Sequence, residues 1–294
     1  MKKIKISIII VHYKVEIELS MCINSIVKSK PKADYEIIVV DNDEVKTIEN
    51  GLKNKFPKVQ YIKSPTNIGF GAGNNLGASI AQGQYLFFLN PDTQVQKGVV
   101  DNLRLFLENT PRAAIVAPLL FDKDNKPYST QGSKKLTPFR ALFSISFLHR
   151  IFPNNPVAKN YYLSDWDKTK IKEVDVVPGA GFVIRRKIFE EIGLFDEKLF
   201  LYFEEFDICN RVKKLGYKIY IVPKAKVKHI WEASTKKAAF DVKKVFAQSR
   251  FYYFKKYYGL LSALTVEAFT RFNKIHLLLG FVLTLAIFLF FSTL

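Results

Sequence analysis

The sequence predicts an α/β protein built on a mainly parallel sheet, and two observations carry that expectation. Short β-branched or aromatic runs alternate along the chain with stretches whose apolar residues recur at helical spacing. Two of the early runs also end abruptly in polar turns, Asp41-Asn42-Asp43 after the second and Asn90-Pro91-Asp92 after the fourth. In an open α/β sheet, ligands bind at the carboxyl ends of the strands.

The elements follow in order. Ile4 to Val11 is β-branched and reads as a buried strand. Glu16 to Ser29 places Ile17, Leu19, Cys22, Ile23, Ile26 and Val27 on a helix. Tyr35 to Val40 is a second buried strand, Thr47 to Lys55 a helix stopped by Pro57, and Val59 to Ile62 a short third strand. Asn67 to Gly77 is a glycine-rich turn leading into a helix through Gln82. Tyr85 to Leu89 is the fourth strand, ended by Pro91, which donates no hydrogen bond to a ladder and pushes Asn90 towards an extended conformation. This order is that of a nucleotide-binding parallel sheet. Further on come a helix from Gly98 to Asn109 and a strand from Ala114 to Ala117, ended by Pro118. Residues 122 to 172 change character, with scattered prolines and an apolar, aromatic and basic run from Phe139 to Phe152 that fits either an amphipathic membrane-surface segment or core packing. Strands are expected over Val174 to Val177, Phe182 to Arg185, Tyr217 to Val222 and Val227 to His229, and helices over Arg186 to Ile192 and Phe203 to Leu215. The last of these helices has acids at its start and Lys213 and Lys214 at its end, as the helix dipole favours.

Composition narrows the partners. Of the 294 residues, 48% are hydrophobic and 24% charged, which suits a folded protein. The formal charge of +18 points to an anionic partner: nucleic acid, anionic lipid or a phosphorylated substrate. Cys22 and Cys209 have no zinc-ligand spacing and read as buried small hydrophobes. The N-terminal Met-Lys-Lys-Ile-Lys is followed by an apolar run too short for an export signal, because His12, Lys14, Glu16 and Glu18 interrupt it. Residues 236 to 258 are basic and aromatic together, and Leu277 to Leu294 carry no charge. A helix of that length would reach about 27 Å, marginal for crossing a bilayer core. Arg271 and Lys274 on its N-terminal side favour a cytoplasmic catalytic domain. The expected organisation is a catalytic domain over residues 1–235, a basic aromatic helical region over 236–274 and a membrane-associating tail over 275–294.

Four polar places stand at element ends. Asp41 closes the second strand, Asp92 the fourth, Glu204-Glu205-Phe206-Asp207 opens a helix and His229 closes a late strand. A carboxylate such as Asp92 can hold a hard divalent cation, which in turn can hold a diphosphate. Taken alone, Asp92 reads first as a turn aspartate capping the next helix. An acid at a helix start can take a proton from an attacking hydroxyl. Plain solvation of a helix end is the alternative for the acidic cluster. For the basic aromatic stretch, a nucleic-acid-binding surface is the rival from another class.

At this point the residues resemble a family. Val11-His-Tyr13, Val39-Val-Asp-Asn42, Asn67-Ile-Gly-Phe-Gly-Ala-Gly-Asn-Asn75, Leu89-Asn-Pro-Asp92, Pro178-Gly-Ala-Gly-Phe182, Leu194-Phe-Asp-Glu197, Tyr202-Phe-Glu-Glu-Phe-Asp207 and Val222-Pro-Lys-Ala-Lys-Val-Lys-His229 occur in the order found in family 2 glycosyltransferases, most like the rhamnosyltransferase-type branch. The resemblance covers about residues 4 to 230. It implies a GT-A fold, a Rossmann-like mixed sheet flanked by helices, here followed by the membrane-associating helical tail. It also implies inverting transfer from a nucleotide-diphosphate sugar, with dTDP-rhamnose the leading donor and UDP- or GDP-sugars the alternatives. A processive synthase is disfavoured, because the Gln-x-x-Arg-Trp motif is absent. By the same resemblance Val11, His12, Tyr13, Asp41, Asn67, Gly69, Asn74, Asn90 and Asp92 form the donor site. Asp92 and His229 hold Mg²⁺ or Mn²⁺, Glu205 or Asp207 is the base, and Gly179, Ala180 and Glu204 face the acceptor. The family pattern usually has Asp-x-Asp where this chain has Asn90-Pro-Asp92, and an Asp where it has Glu205. The expected partners are the sugar donor, a polyprenyl-diphosphate-linked glycan acceptor and an anionic membrane surface, with no nucleic acid. The expected location is the cytoplasmic face of the cell membrane.

Overall fold

The computed structural model describes residues 4–230 and 236–271. These form two compact units. The first comprises residues up to Lys135 together with Tyr162–Ser249, and the second comprises Leu136–Tyr161 together with the described residues from Arg250.

The first unit is organised by one mixed sheet. Its strands are β1 (Ile6–His12), β2 (Tyr35–Asp41), β3 (Gln60–Lys63), β4 (Tyr85–Leu89), β5 (Thr93–Val95), β6 (Ala113–Phe121), β7 (Lys172–Val174), β8 (Gly181–Arg185) and β9 (Lys218–His229). They lie in the order β3-β2-β1-β4-β8-β6-β9-β5, with β7 on β9. β1 to β4 pair parallel with one another, as the alternation with helices requires. β8 then enters antiparallel between β4 and β6, pairing Leu89 with Gly181.

The helices of this unit are α1 (Glu16–Ser29), α2 (Glu49–Lys55), α3 (Phe70–Ile80), α4 (Val99–Asn109), α8 (Arg186–Glu191) and α9 (Glu204–Lys214). Because side chains alternate across a strand, the sheet builds a core on each face. Ile6, Ile8 and Ile10 pack with Leu19 and Ile23 of α1 and Leu103 of α4. Ile9 and Val11 pack with Ile38, Val40, Phe88 and, from α9, Ile208. Phe88 sits among Phe182, Phe189 and Phe195, with ring centroids 5.5, 5.1 and 4.9 Å away. That aromatic cluster anchors the strand whose end carries Asp92.

The structure departs from the sequence reading in four places. Pro118 does not end its strand: β6 runs through to Phe121, and a register shift between Pro118 and Leu119 absorbs the lost donor. The two late strands, Tyr217 to Val222 and Val227 to His229, are one strand, because the same irregularity carries β9 past Pro223. The strand expected over Val174 to Val177 lies earlier, at β7, while Val176 makes only an isolated bridge with Ser133. β5 was not anticipated at all, since its three residues are too short to signal a period.

The second unit holds α5 (Pro138–Ser144), α6 (Phe147–Ile151) and α7 (Pro156–Tyr161), so the apolar run from Phe139 to Phe152 becomes two short helices. Thr137 and Ser146 cap them through their side chains. The last helix, α10 (Val242–Arg271), is interrupted at Gly259, where φ is 84°. Within this unit Tyr253 and Tyr258 both donate to Leu136 O. The buried Glu267 accepts from Arg250 at 2.8 and 3.0 Å and from Arg271 at 2.6 Å. Among the described residues no helix is long and apolar enough to cross a membrane. The tail expected over 275–294 lies outside the described residues.

Candidate active site

Three strand ends and one helix start meet at the carboxyl edge of β1, β2 and β4. β4 ends at Leu89, the chain turns through Asn90-Pro91-Asp92, and β5 begins at Thr93. β5 pairs antiparallel with β9 so that Thr93 faces His229. This pairing brings His229 Nε2 to 3.2 Å from Asp92 Oδ1, with both side chains buried. Ile230 N donates to Asp92 O, and Tyr128 Oη donates to His229 O at 2.9 Å. Cys22, fully buried with its thiol pushed up to about 12 by burial, packs beneath this turn against Thr93.

The donors Asp92 and His229 are a hard oxygen and a borderline nitrogen, a set that suits Mg²⁺ or Mn²⁺. The carboxamide oxygen of Asn90 is buried without a hydrogen-bond partner, which a cation or a ligand donor would satisfy. Among the described residues no cluster of three or more metal-binding side chains exists. These residues therefore fit a site with two protein ligands and further positions left open.

The turn at Asp92 is tied to the acidic helix start. Asn90 N donates to Ala180 O at 2.9 Å, placing the Pro178–Gly181 turn alongside. A Cβ added at Gly179 would stand 3.5 Å from the Glu205 carboxyl carbon, an ordinary contact distance, so the Glu205 carboxylate lies against this turn. Glu205 is half-buried, and burial raises its pKa to about 7. Glu204 is buried, and burial and then the neighbouring Glu205 charge raise its pKa well above the carboxylate range. Asp207 is directed elsewhere: Arg211, one helical turn on, donates to its Oδ2 from Nε at 2.9 Å and from Nη2 at 2.5 Å. The i, i+4 spacing of that pair was legible in the sequence.

The other donor-site candidates cluster at the β1 and β2 ends. His12 faces Asp41 across the β1–β2 ladder. Burial lowers the His12 pKa, against the opposing pull of Asp41 and Asp43, and its Nδ1 is buried without a hydrogen-bond partner. Val11 is buried beside it, and the Tyr13 ring lies 6.1 Å from that of Phe240, tilted by 39°. The Asp41 carboxylate is fully buried and already engaged. Asp43 N reaches one oxygen at 3.0 Å, and Tyr61 Oη and Lys63 Nζ reach the other at 2.6 and 3.2 Å. Tyr61 and Lys63 carry no sequence signal for this contact, because only the β2–β3 register, which pairs Asp41 with Lys63, brings them there.

The glycine-rich turn works as a clamp. Asn67 Oδ1 accepts from Gly69 N at 3.1 Å, and Asn42 Nδ2 donates to Gly69 O at 2.9 Å. Gly69 has φ +89°, and a Cβ there would meet Phe200 O at 2.4 Å. Asn74 donates to Phe70 O at 3.0 Å and leaves its own oxygen buried and unpartnered. Asn75 exchanges hydrogen bonds with the Phe195 backbone and also donates to Glu197, all at 3.0 Å.

With this geometry in place, the comparisons with known proteins are specific. A sequence profile of Glycosyl transferase family 2 matches residues 7–193. The chain is 25% identical over 206 residues to an N-acetylglucosaminyl-diphospho-decaprenol L-rhamnosyltransferase of Mycobacterium tuberculosis, covering 66% of each chain. It is 22% identical over 210 residues to the dTDP-rhamnosyl transferase RfbF of Shigella flexneri, covering 70% of this chain and 64% of the relative. The matches thus span slightly under two thirds of these relatives. The fold is similar to that of the crystal structure of GalNAc-T7 with UDP, GalNAc and Mn²⁺. The TM-score is 0.58 and the identity 20%, over 79% of this chain and 44% of that one.

Proposed function

The chain belongs to glycosyl transferase family 2, and on that premise we propose that it transfers a sugar, with inversion, from a nucleotide-diphosphate donor to a lipid-linked acceptor hydroxyl. The observation that carries this is the Asn90 N to Ala180 O hydrogen bond. It joins the Asp92–His229 pair, suited to a diphosphate, to the turn against which Glu205 packs.

In this mechanism the acceptor oxygen bonds to the anomeric carbon as the bond to the nucleoside diphosphate breaks. Glu205 takes the hydroxyl proton, and its pKa near 7 matches that task. Glu204, whose pKa is raised by burial and by the Glu205 charge, lies beside it on the acceptor side with Gly179 and Ala180. A divalent cation, Mg²⁺ or Mn²⁺, held by Asp92 and His229 would stabilise the negative charge on the leaving diphosphate. Val11, His12, Tyr13, Asp41, Asn67, Gly69, Asn74 and Asn90 hold the nucleotide. Direct displacement inverts the configuration. We assign the base to Glu205 over Asp207, because Arg211 already occupies the Asp207 carboxylate.

The leading donor is dTDP-rhamnose, supported by the names of the two bacterial relatives. The acceptor class, a polyprenyl-diphosphate-linked glycan at the cytoplasmic membrane face, is supported by the first of those names and by the chain's +18 charge. Calorimetric titration with dTDP, UDP and GDP, each with and without Mn²⁺, tests the donor site in wild type and Asp92→Ala. Metal-dependent dTDP binding that Asp92→Ala weakens at least tenfold is expected. Preference for UDP or GDP would replace rhamnose with a hexose such as galactofuranose, glucose, N-acetylglucosamine or mannose. Absence of binding to all three nucleotides would overturn the donor site.

A further inference from the structure

In the last part of α10 the usual polarity of a surface helix is reversed. After the break at Gly259, Leu260, Leu261 and Leu264 are 53%, 79% and 52% exposed, and Ala268 is exposed as well. At 100° per residue these four fall within a sector of about 100°, one continuous stripe. Ala263 and Val266 face away from the stripe and are buried, and Glu267, about 20° from Leu260 at the stripe's edge, is buried as well. At that edge Glu267 is covered by Arg250 and Arg271, while the leucines beside it stay exposed.

A stripe of this kind costs free energy in water, roughly 25 cal/mol per Å² of apolar surface left exposed. Its occupant is indicated by what flanks it. Exposed Lys255 and Lys256 immediately precede the Gly259 break, and Lys256 Nζ lies 5.4 Å from the Tyr257 ring centroid. On the other side, the sequence from Leu277 to Leu294 carries no charged residue. Cations beside an apolar face complement an anionic bilayer surface, whereas a protein partner would not call for an uncharged stretch further on.

We propose that residues 255–268 form an interfacial docking surface for anionic lipid, with Leu260, Leu261 and Leu264 immersed at the acyl boundary and Lys255 and Lys256 at the headgroups. The helix lies along the membrane and does not cross it. This deepens the lipid-linked acceptor reading and rests on it for its purpose, but the vesicles used below contain neither donor nor acceptor. Failure here therefore leaves the transferase reading intact, and loss of turnover does not bear on the docking.

The experiment uses the full chain with Leu261→Cys labelled by an environment-sensitive fluorophore; Cys22 and Cys209 are fully buried and do not compete. With vesicles of phosphatidylglycerol and phosphatidylcholine, a blue shift and quenching by brominated lipid are expected. In Lys255→Ala/Lys256→Ala the affinity for these vesicles should fall roughly 30-fold at low salt. Vesicle-bound protein whose label stays in water would overturn the proposal, since residues 277–294 alone would then hold the chain. A blue shift without vesicles would also overturn it: if it grows with protein concentration a second copy covers the stripe, and if it does not the chain's own tail does. Unchanged affinity in the double lysine variant would overturn the assignment to anionic lipid.

Discussion

At the residue scale, the proposed chemistry rests on Glu205 being available while Asp207 is occupied. Asp207 is paired with Arg211, whereas Glu205 stands beside bare Gly179. Glu205→Gln should lower kcat by about 10²–10⁴, the usual contribution of a general base, with nucleotide affinity little changed. In wild type, kcat/KM should rise with pH and level off above about 7, the value to which burial raises Glu205. The same pair makes stability pH-dependent, and the sign follows from linkage. Glu204 and Glu205 have raised pKa values, so near neutrality the folded chain keeps protons that the unfolded chain has released. Their contribution is most favourable below the ordinary carboxylate pKa and is lost as pH rises through the raised values. Glu204→Gln should therefore melt above wild type at pH 8, with the difference shrinking towards pH 4; a constant difference across that range would count against the burial of the charge.

At the element scale, the site is assembled by connections between ends of elements, not by any one element. The Asn67–Asn75 turn reaches across to Phe195, Glu197 and Phe200 through four hydrogen bonds, including Phe70 N to Phe200 O at 2.8 Å. Gly69 makes that approach possible, because its φ of +89° and the nearby Phe200 carbonyl exclude a side chain. Gly69→Ala should cost about 1–3 kcal/mol and weaken donor binding together with stability, measured by thermal melting and by titration. The three-residue β5 is the other such connection: it converts two distant residues, Asp92 and His229, into a pair. A segment so short carries no period of its own, so its existence was not legible before β9 was seen beside it.

At the whole-molecule scale, the proposed nucleotide-site residues all belong to the first compact unit, and the exposed leucine stripe belongs to the second. Arg250→Met should therefore destabilise through the second unit. It removes one of the two cations on buried Glu267, at a cost of about 3 kcal/mol. A lowered melting temperature with an unchanged dTDP dissociation constant is expected; a parallel loss of dTDP affinity would show that the two are coupled. The excess of 45 basic over 27 acidic residues also acts at this scale, since it favours anionic partners whichever unit meets them first.

The sequence by itself determined the α/β class, the strands and helices of the first half, the polar strand ends and the family motifs. These features are local: a period of two or 3.6, a proline or a glycine turn is written within a few residues. Only the tertiary structure shows how the acids of this helix are paired, with Arg211 on Asp207 and the Gly179 turn against Glu205. It also decided that Asp41 is held by Tyr61 and Lys63, that β6 and β9 run past their prolines, and that Leu260, Leu261 and Leu264 face outward. Each of these is a matter of register or of which face is covered, and both are set by pairing between segments far apart in the chain.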